Sequence, residues 1–332
     1  MKKLLTITLI AAAAFAAEGY KVLTKYKIGG TGGWDYVAVD QANRRIYASH
    51  GTTVEVLDAD SGKVLGQIAQ LHGVHGIAVA ADLNKGFITN GQSNSVTVFD
   101  LKTRDKVGEP ATGKNPDAVC YEPKTQRIFT FNGGSNESSV INAKTNEIAG
   151  TVKLGGRPEF CVADGTGKLY DNLEDTAEIV EIDAAKMEVT RRSSLAPCDA
   201  PSGLAIDVKN KKLFSVCSNK MMTVTDIPTL KVIATPAIGA GPDAAGFDPG
   251  TGLAFSSNTD ATLTIVKLVN GKYDAVDSVP TVARARTMAV DEKLHRVYLL
   301  AAEFGPAPEA KDGKKGRPPV LPDSFHVLVV GK

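Results

Sequence analysis

Residues 113–152, GKNPDAVCYEPKTQRIFTFNGGSNESSVINAKTNEIAGTV, hold one complete cycle of strand and turn signals. A short apolar run, Ala118 to Tyr121, meets the polar turn Glu122-Pro123-Lys124-Thr125. A second run begins at Ile128-Phe129 and ends in a loop rich in Gly, Asn and Ser. A third run, Val140-Ile141-Asn142, and a fourth, Glu147 to Val152, complete the unit. Short apolar runs separated by turn chemistry read as β-strands, and no stretch with helical periodicity competes with them.

Outward from this unit the pattern recurs. The pairs that anchor the second strand are Ile46-Tyr47, Phe87-Ile88, Ile128-Phe129, Leu169-Tyr170, Leu213-Phe214, Leu253-Ala254 and Val297-Tyr298, with first members 41, 41, 41, 44, 40 and 44 residues apart. First strands repeat at Tyr36–Val39, Ile77–Ala80, Leu204–Ile206 and Met288–Val290, and third strands that stop at Asp repeat at Val54–Asp58, Val96–Asp100, Ile179–Asp183 and Met222–Asp226. A strand-rich repeat near 42 residues is the period of propeller blades. The last unit reaches Gly331-Lys332 after only three strands, and the alternating segment Tyr20–Ile28 precedes the first unit. The prediction is therefore an all-β, seven-bladed β-propeller of four-stranded antiparallel blades, its last blade closed by the N-terminal strand.

Lys2 and Lys3, the apolar run Leu4–Ala14 and the small residues to Ala17 have the order of a secretory signal peptide, which predicts residues 1–17 as a leader and 18–332 as one propeller domain. The leader's run is too short for a membrane anchor, and no later run approaches the length of a spanning helix. A periplasmic or secreted chain without a membrane anchor after cleavage follows. With 38 basic and 37 acidic residues the net charge is +1, so no molecular field points to nucleic acid. The chain reads as a monomer.

The units also resemble the YncE-like, YVTN-repeat family of propellers. The resemblance rests on Gly113-Lys114-Asn115-Pro116-Asp117, Phe129-Thr130-Phe131-Asn132, Val140-Ile141-Asn142 and Lys144-Thr145-Asn146, with Phe87-Ile88-Thr89-Asn90 as the nearest copy of the signature tetrapeptide. Units four, six and seven are degenerate. The resemblance implies an exported propeller with binding or scaffolding roles, and it brings no shared catalytic residues.

In this fold, loops at the start of the innermost strands form a funnel around the channel, where function concentrates. The residues placed there are Trp34, Asp35, His75, Asp117, Arg157, Glu159, Ser202, Asp243, Arg284 and Arg286. The funnel is the expected ligand site, with Trp34, Asp35, His75, Asp117, Arg157, Glu159, Asp243 and Arg286 as its binding residues. Asp35, Asp117, Glu159 and Asp243 suit a hard cation or a polar ligand, or else cap their own turns. The arginines suit an anion or neutralise the acids. Trp34 is a stacking platform or a plug where the ring closes. His50, His72 and His75 form the metal candidate, since imidazole ligates zinc and copper. No cofactor is predicted beyond a possible divalent metal. The glycines around Thr31 lack the spacing of a nucleotide fingerprint.

Cys198 and Cys217 are predicted to form a disulfide at the funnel face. Cys120 and Cys161, each eight residues before an anchor, read as small core residues in equivalent places. Residues 303–323 form a Pro-rich insertion with Lys311, Lys314, Lys315 and Arg317, either a mobile lid or docking arm or an inert excursion. The function expected is a binding or scaffold propeller that engages a small polar ligand or a partner protein. The alternative is a metal-assisted hydrolase or lactonase, or a lyase with His75 as base.

Overall fold

The computed structural model describes residues 19–308, 316 and 318–332. The leader expected at residues 1–17 and most of the tip of the insertion, including Lys311, Lys314, Lys315 and Arg317, lie outside the described residues. Seven four-stranded antiparallel sheets account for the strands. Their first strands are Val37–Asp40, Val74–Ala80, Pro116–Glu122, Pro158–Ala163, Pro201–Asp207, Pro242–Asp248 and Met288–Asp291 in blades 1 to 7. Each first strand contacts the next and blade 7 contacts blade 1, so these strands surround a common axis. Among the described residues the helical structure is a single 3-10 turn at Ala81–Leu83, and no helix is long and apolar enough to cross a membrane.

The strand Lys21–Lys27 pairs with the last strand, His326–Gly331, with Lys21 opposite Gly331 and Lys27 opposite His326. It stands as the outermost strand of blade 7, in the order Lys21–Lys27, His326–Gly331, Arg296–Ala301, Met288–Asp291. The chain's first and last strands thereby close the ring between them.

The two middle strands of each blade are buried on both faces, which explains their near-continuous apolar runs. Successive side chains of a strand point to opposite sides, so each middle strand feeds two interblade layers. Ile46 and Leu57 pack toward blade 7 with Tyr298 and Phe325, whereas Tyr47, Val54 and Val56 pack toward blade 2 with Ile88 and Phe99. The described residues hold seven such clusters, one in each gap between blades. Near the axis the blades crowd. A Cβ on Gly203 would stand 2.4 Å from the Ala245 nitrogen, and one on Gly76 would stand 2.6 Å from the Asp117 carbonyl oxygen.

The cysteine reading needs one correction. Cys198 and Cys217 are bridged, with Cα atoms 5.4 Å apart, but Cys120 and Cys161 are bridged as well, across the gap between blades 3 and 4. The sequence had placed that second pair in equivalent positions, from which side chains point the same way and cannot meet. In blade 3, Glu122 pairs directly with Arg127, but in blade 4 the tighter turn bonds the Asp164 N–H to the Lys168 carbonyl. Cys120 consequently lies opposite Phe129 while Cys161 lies opposite Asp171. One place of offset turns the two side chains toward each other, with 6.2 Å between Cα atoms.

Candidate functional site

Each innermost strand ends at the same register, at Asp40, Ala80, Glu122, Asp207, Asp248 and Asp291, with Asp164 just beyond the strand in blade 4. Five residues earlier, at the funnel end, the seven blades present Asp35, His75, Asp117, Glu159, Ser202, Asp243 and Arg286 in ring order. Six of the seven are polar ionisable groups at a place where the sheet pattern by itself calls for nothing polar.

Local backbone geometry explains their aim. In blades 2 to 6 the pairing register of the innermost strand shifts between Val74 and Ile77, Pro116 and Val119, Pro158 and Cys161, Pro201 and Leu204, and Pro242 and Ala244. Such bulges re-aim the side chain they contain, and the ring residue sits within each. Neighbouring blades then lock the backbone. Thr89 donates through Oγ1 to the Asp117 carbonyl at 2.6 Å, Asn172 donates through Nδ2 to the Ser202 carbonyl at 2.9 Å, and Ser257 donates to the Arg286 carbonyl. In blade 1 the Asp35 N–H donates to Ser49 Oγ at 2.7 Å.

The ring surrounds a cavity of about 130 Å³ lined by Asp35, Tyr36, Val37, Asp117, Glu159, Phe160, Ser202, Gly203, Asp243, Ala244, Arg286, Thr287 and Met288. His75 borders it through its partners. Its Nδ1 is 2.7 Å from Asp35 Oδ2 and 3.7 Å from Asp117 Oδ1. Across the ring Arg286 bonds Asp243 at 3.1 Å. Tyr36 of blade 1 and Phe160 of blade 4 stack across the axis at 5.4 Å between ring centroids.

Burial dominates the electrostatics. Desolvation, reinforced by the charge of Asp35, lifts the Asp117 carboxyl to about 6. Glu159 is pushed up to about 8 by desolvation, then by Asp117 and Glu174. Asp243 rises to about 6 from desolvation, with Arg286 opposing the rise. The hydrogen bond to Asp35 raises His75 above the usual imidazole range. Behind Glu159, Asp171 is wholly buried, and desolvation raises it well above the carboxylate range. Asp117 Oδ1, Glu159 Oε2 and both carboxyl oxygens of Asp171 are buried without a hydrogen-bond partner.

The turn-capping alternative has a clear location elsewhere. At the opposite end of the same strands Asp40 Oδ1 accepts from the Asn43 N–H at 2.9 Å and Asp248 Oδ1 from the Gly250 N–H at 2.9 Å. On the funnel rim Asp175 caps the Arg157 N–H at 2.8 Å and Asp260 the Ala240 N–H at 2.6 Å. Among the described hydrogen bonds, Asp35, Asp117, Glu159 and Asp243 make none of this kind with their own turns.

Other expected site residues lie apart from the cavity. Arg157 is held at the rim by Glu174 at 2.9 Å. Trp34 stacks on Phe325 at 5.4 Å and lies tilted against Phe304 at 5.9 Å, in the layer between blades 7 and 1 where the ring closes. The three histidines are dispersed. His50 stacks on Phe325 at 4.4 Å with its Nδ1 3.8 Å from Glu55, and His72 is exposed. Among the described residues one group of His, Cys and carboxylate side chains has the spacing of a metal site, and it joins His75 to Asp35 and Asp117. The sequence reading missed Tyr36, Phe160 and Asp171, because an aromatic at a strand start or a lone Asp in a ladder carries no distinguishing signal.

The described part of the insertion is ordered at its base. Phe304 bridges Val320, the Gly305 N–H donates to the Pro319 carbonyl at 2.9 Å, and the Leu321 N–H donates to the Glu303 carbonyl at 2.8 Å. Arg284 stands over Phe304, 4.7 Å from the ring centroid.

Fold and site together define a seven-bladed β-propeller with an ionisable ring at one mouth of its axis. Among solved structures the chain is similar to one titled Kuenenia stuttgartiensis hydrazine synthase, with a TM-score of 0.70 and 17% identity over 82% of this chain and 93% of that one. At that identity the likeness establishes the propeller fold alone. No protein-family model matches the chain, and no curated protein sequence matches it.

Proposed function

We propose that this chain is an exported propeller of the YVTN-repeat kind that binds a small cationic ligand in its axial funnel. One observation carries the reading: the ring sets four carboxyls against two bases, and two of the carboxyl oxygens are buried without a hydrogen-bond partner. A buried polar group without a partner costs free energy. A cation in the cavity supplies the partner and favours ionisation of Asp117, Glu159 and Asp243, whose carboxyls desolvation pushes up. The cavity of about 130 Å³ suits an ion with its waters or an organic cation of a few heavy atoms, given about 30 Å³ per water. Export is supported by two disulfides and no free cysteine among the described residues, a pattern of oxidising compartments.

The test is a ligand screen by thermal shift on the mature chain, with small amines, guanidines and divalent ions set against carboxylates of matched size. Cations raise the melting temperature of the wild type and fail to do so for an Asp117→Asn, Asp243→Asn double variant. Stabilisation by anions alone, abolished in Arg286→Gln, would refute the reading.

A further inference from the structure

We infer that Asp35, His75 and Asp117 form a binding site for one divalent ion of the zinc class; this rests on the cation reading of the funnel and names its ligand. The three residues occupy the same register in three consecutive blades, and their donor atoms all lie within 4.8 Å of one another. Around a tetrahedral ion with bonds of 2.0–2.1 Å, donor atoms stand about 3.3 Å apart. The separations from His75 Nδ1, 2.7 Å to Asp35 Oδ2 and 3.7 Å to Asp117 Oδ1, bracket that value. The longer one is beyond a hydrogen bond. Asp117 Oδ1 thus faces the cluster, buried, with His75 at ion-pair distance but no hydrogen-bond partner. That orphaned oxygen distinguishes the group from an ordinary His–Asp pair.

Donor chemistry selects the ion. Imidazole suits zinc, iron, copper or nickel, whereas oxygen ligands alone suit calcium or magnesium. One nitrogen with two carboxylates therefore favours zinc over calcium. The scaffold holds the donors in place. The Asp35 N–H is tied to Ser49 and the Asp117 carbonyl to Thr89. A Cβ on Gly91 would come within 2.7 Å of His75 Nε2, so the imidazole occupies space that only a glycine leaves. Blades 1 to 3 supply the three ligands, and the side toward Glu159 and Asp243 opens on the cavity. A fourth position is there for water or an oxygen donor of a bound molecule.

Isothermal titration of the tag-free, chelator-treated mature chain with Zn²⁺ tests the site. One equivalent binds, and Asp35→Asn and His75→Gln each weaken it by about 100-fold, the upper end of what losing an outer-shell partner costs, while His72→Gln leaves it unchanged. Circular dichroism confirms that each variant is folded. Should a variant fail to fold, titration of the wild type with Co²⁺ reads the same site, because a visible absorption band of a low-coordinate nitrogen and oxygen set appears at one equivalent. Zinc binding that survives both substitutions, or a cobalt spectrum of the hydrated ion only, overturns the metal site. If zinc does not bind but small amines still do, the metal inference falls and the cation-binding funnel stands. If neither binds, both fall.

Discussion

Glu159 shows how much one residue's surroundings decide. An exposed glutamate titrates near 4.3, yet desolvation beside Asp117 and Glu174 holds this carboxyl protonated up to about 8. In the unfolded chain the same group ionises from about 4.3 upward, so between the two values the native state binds more protons. Stability then falls as pH rises through that window. His75 acts in the same direction, because its native pKa is raised by Asp35. Its stabilising contribution is complete below about 6.5 and is lost as pH climbs past the native value. The melting temperature of the ligand-free chain is therefore expected to decline from pH 5 to pH 8, and Glu159→Gln flattens the decline. A profile that rises over this range in the wild type would mean that the ring is solvated.

Asn172 makes the other residue-scale prediction. It donates to the Ser202 carbonyl at 2.9 Å and accepts from Ser215 Oγ at 2.9 Å, wholly buried between blades 4 and 5. Asn172→Leu leaves both partners unsatisfied and should cost about 1–3 kcal/mol in urea unfolding. A neutral result would show that water takes its place.

At the scale of the strand, the two disulfides do different jobs. Cys198 to Cys217 ties the loop before blade 5 to that blade's own second strand, whereas Cys120 to Cys161 joins the innermost strands of neighbouring blades beside Asp117 and Glu159. Replacing both members of the interblade pair by Ser should lower stability by about 2–4 kcal/mol. It should also weaken ligand binding at the ring, while the same change at Cys198 and Cys217 spares binding. Calorimetric unfolding and ligand titration of the two double variants separate these effects.

What the sequence disclosed follows the same physics. Middle strands were legible because burial on both faces forces apolar runs such as Val327–Val330, and the turns between them carry Pro, Gly, Asn and Asp. Ring residues were legible as a set, since each lies 10 to 12 residues before its blade's anchor pair. Their protonation was not, because it arises from approach across the axis between residues some forty positions apart or more. The Cys120 to Cys161 bridge stayed hidden for a local reason: the tighter Asp164–Lys168 turn shifts blade 4 by one place, which self-comparison of the repeats does not resolve. The histidines misled for the converse reason. His72 lies three residues from His75 and His50 was placed on the same funnel face, but strand geometry sends His50 into the closing seam and His72 to solvent.

On the scale of the molecule, closure is the property on which the funnel depends. Lys21–Lys27 is a seven-residue strand held to His326–Gly331, and it covers the edge that blade 7 would otherwise expose. Deleting residues 19–27 is expected to leave a chain that associates or unfolds less cooperatively. Size-exclusion chromatography and a thermal melt read either outcome, and a monomer with an unchanged melt would show that blade 7 is stable with three strands.

The ring itself exists only in the closed molecule, since each blade supplies a single member. The direct measurement is anomalous diffraction from crystals of the mature chain equilibrated with zinc. An ion on the axis bounded by Asp35, His75 and Asp117 is the result expected of a funnel built to hold a cation. Zinc confined to exposed sites such as His72, with the ring side chains unmoved and the axis filled only by water, would contradict the metal site and leave the funnel to organic cations alone.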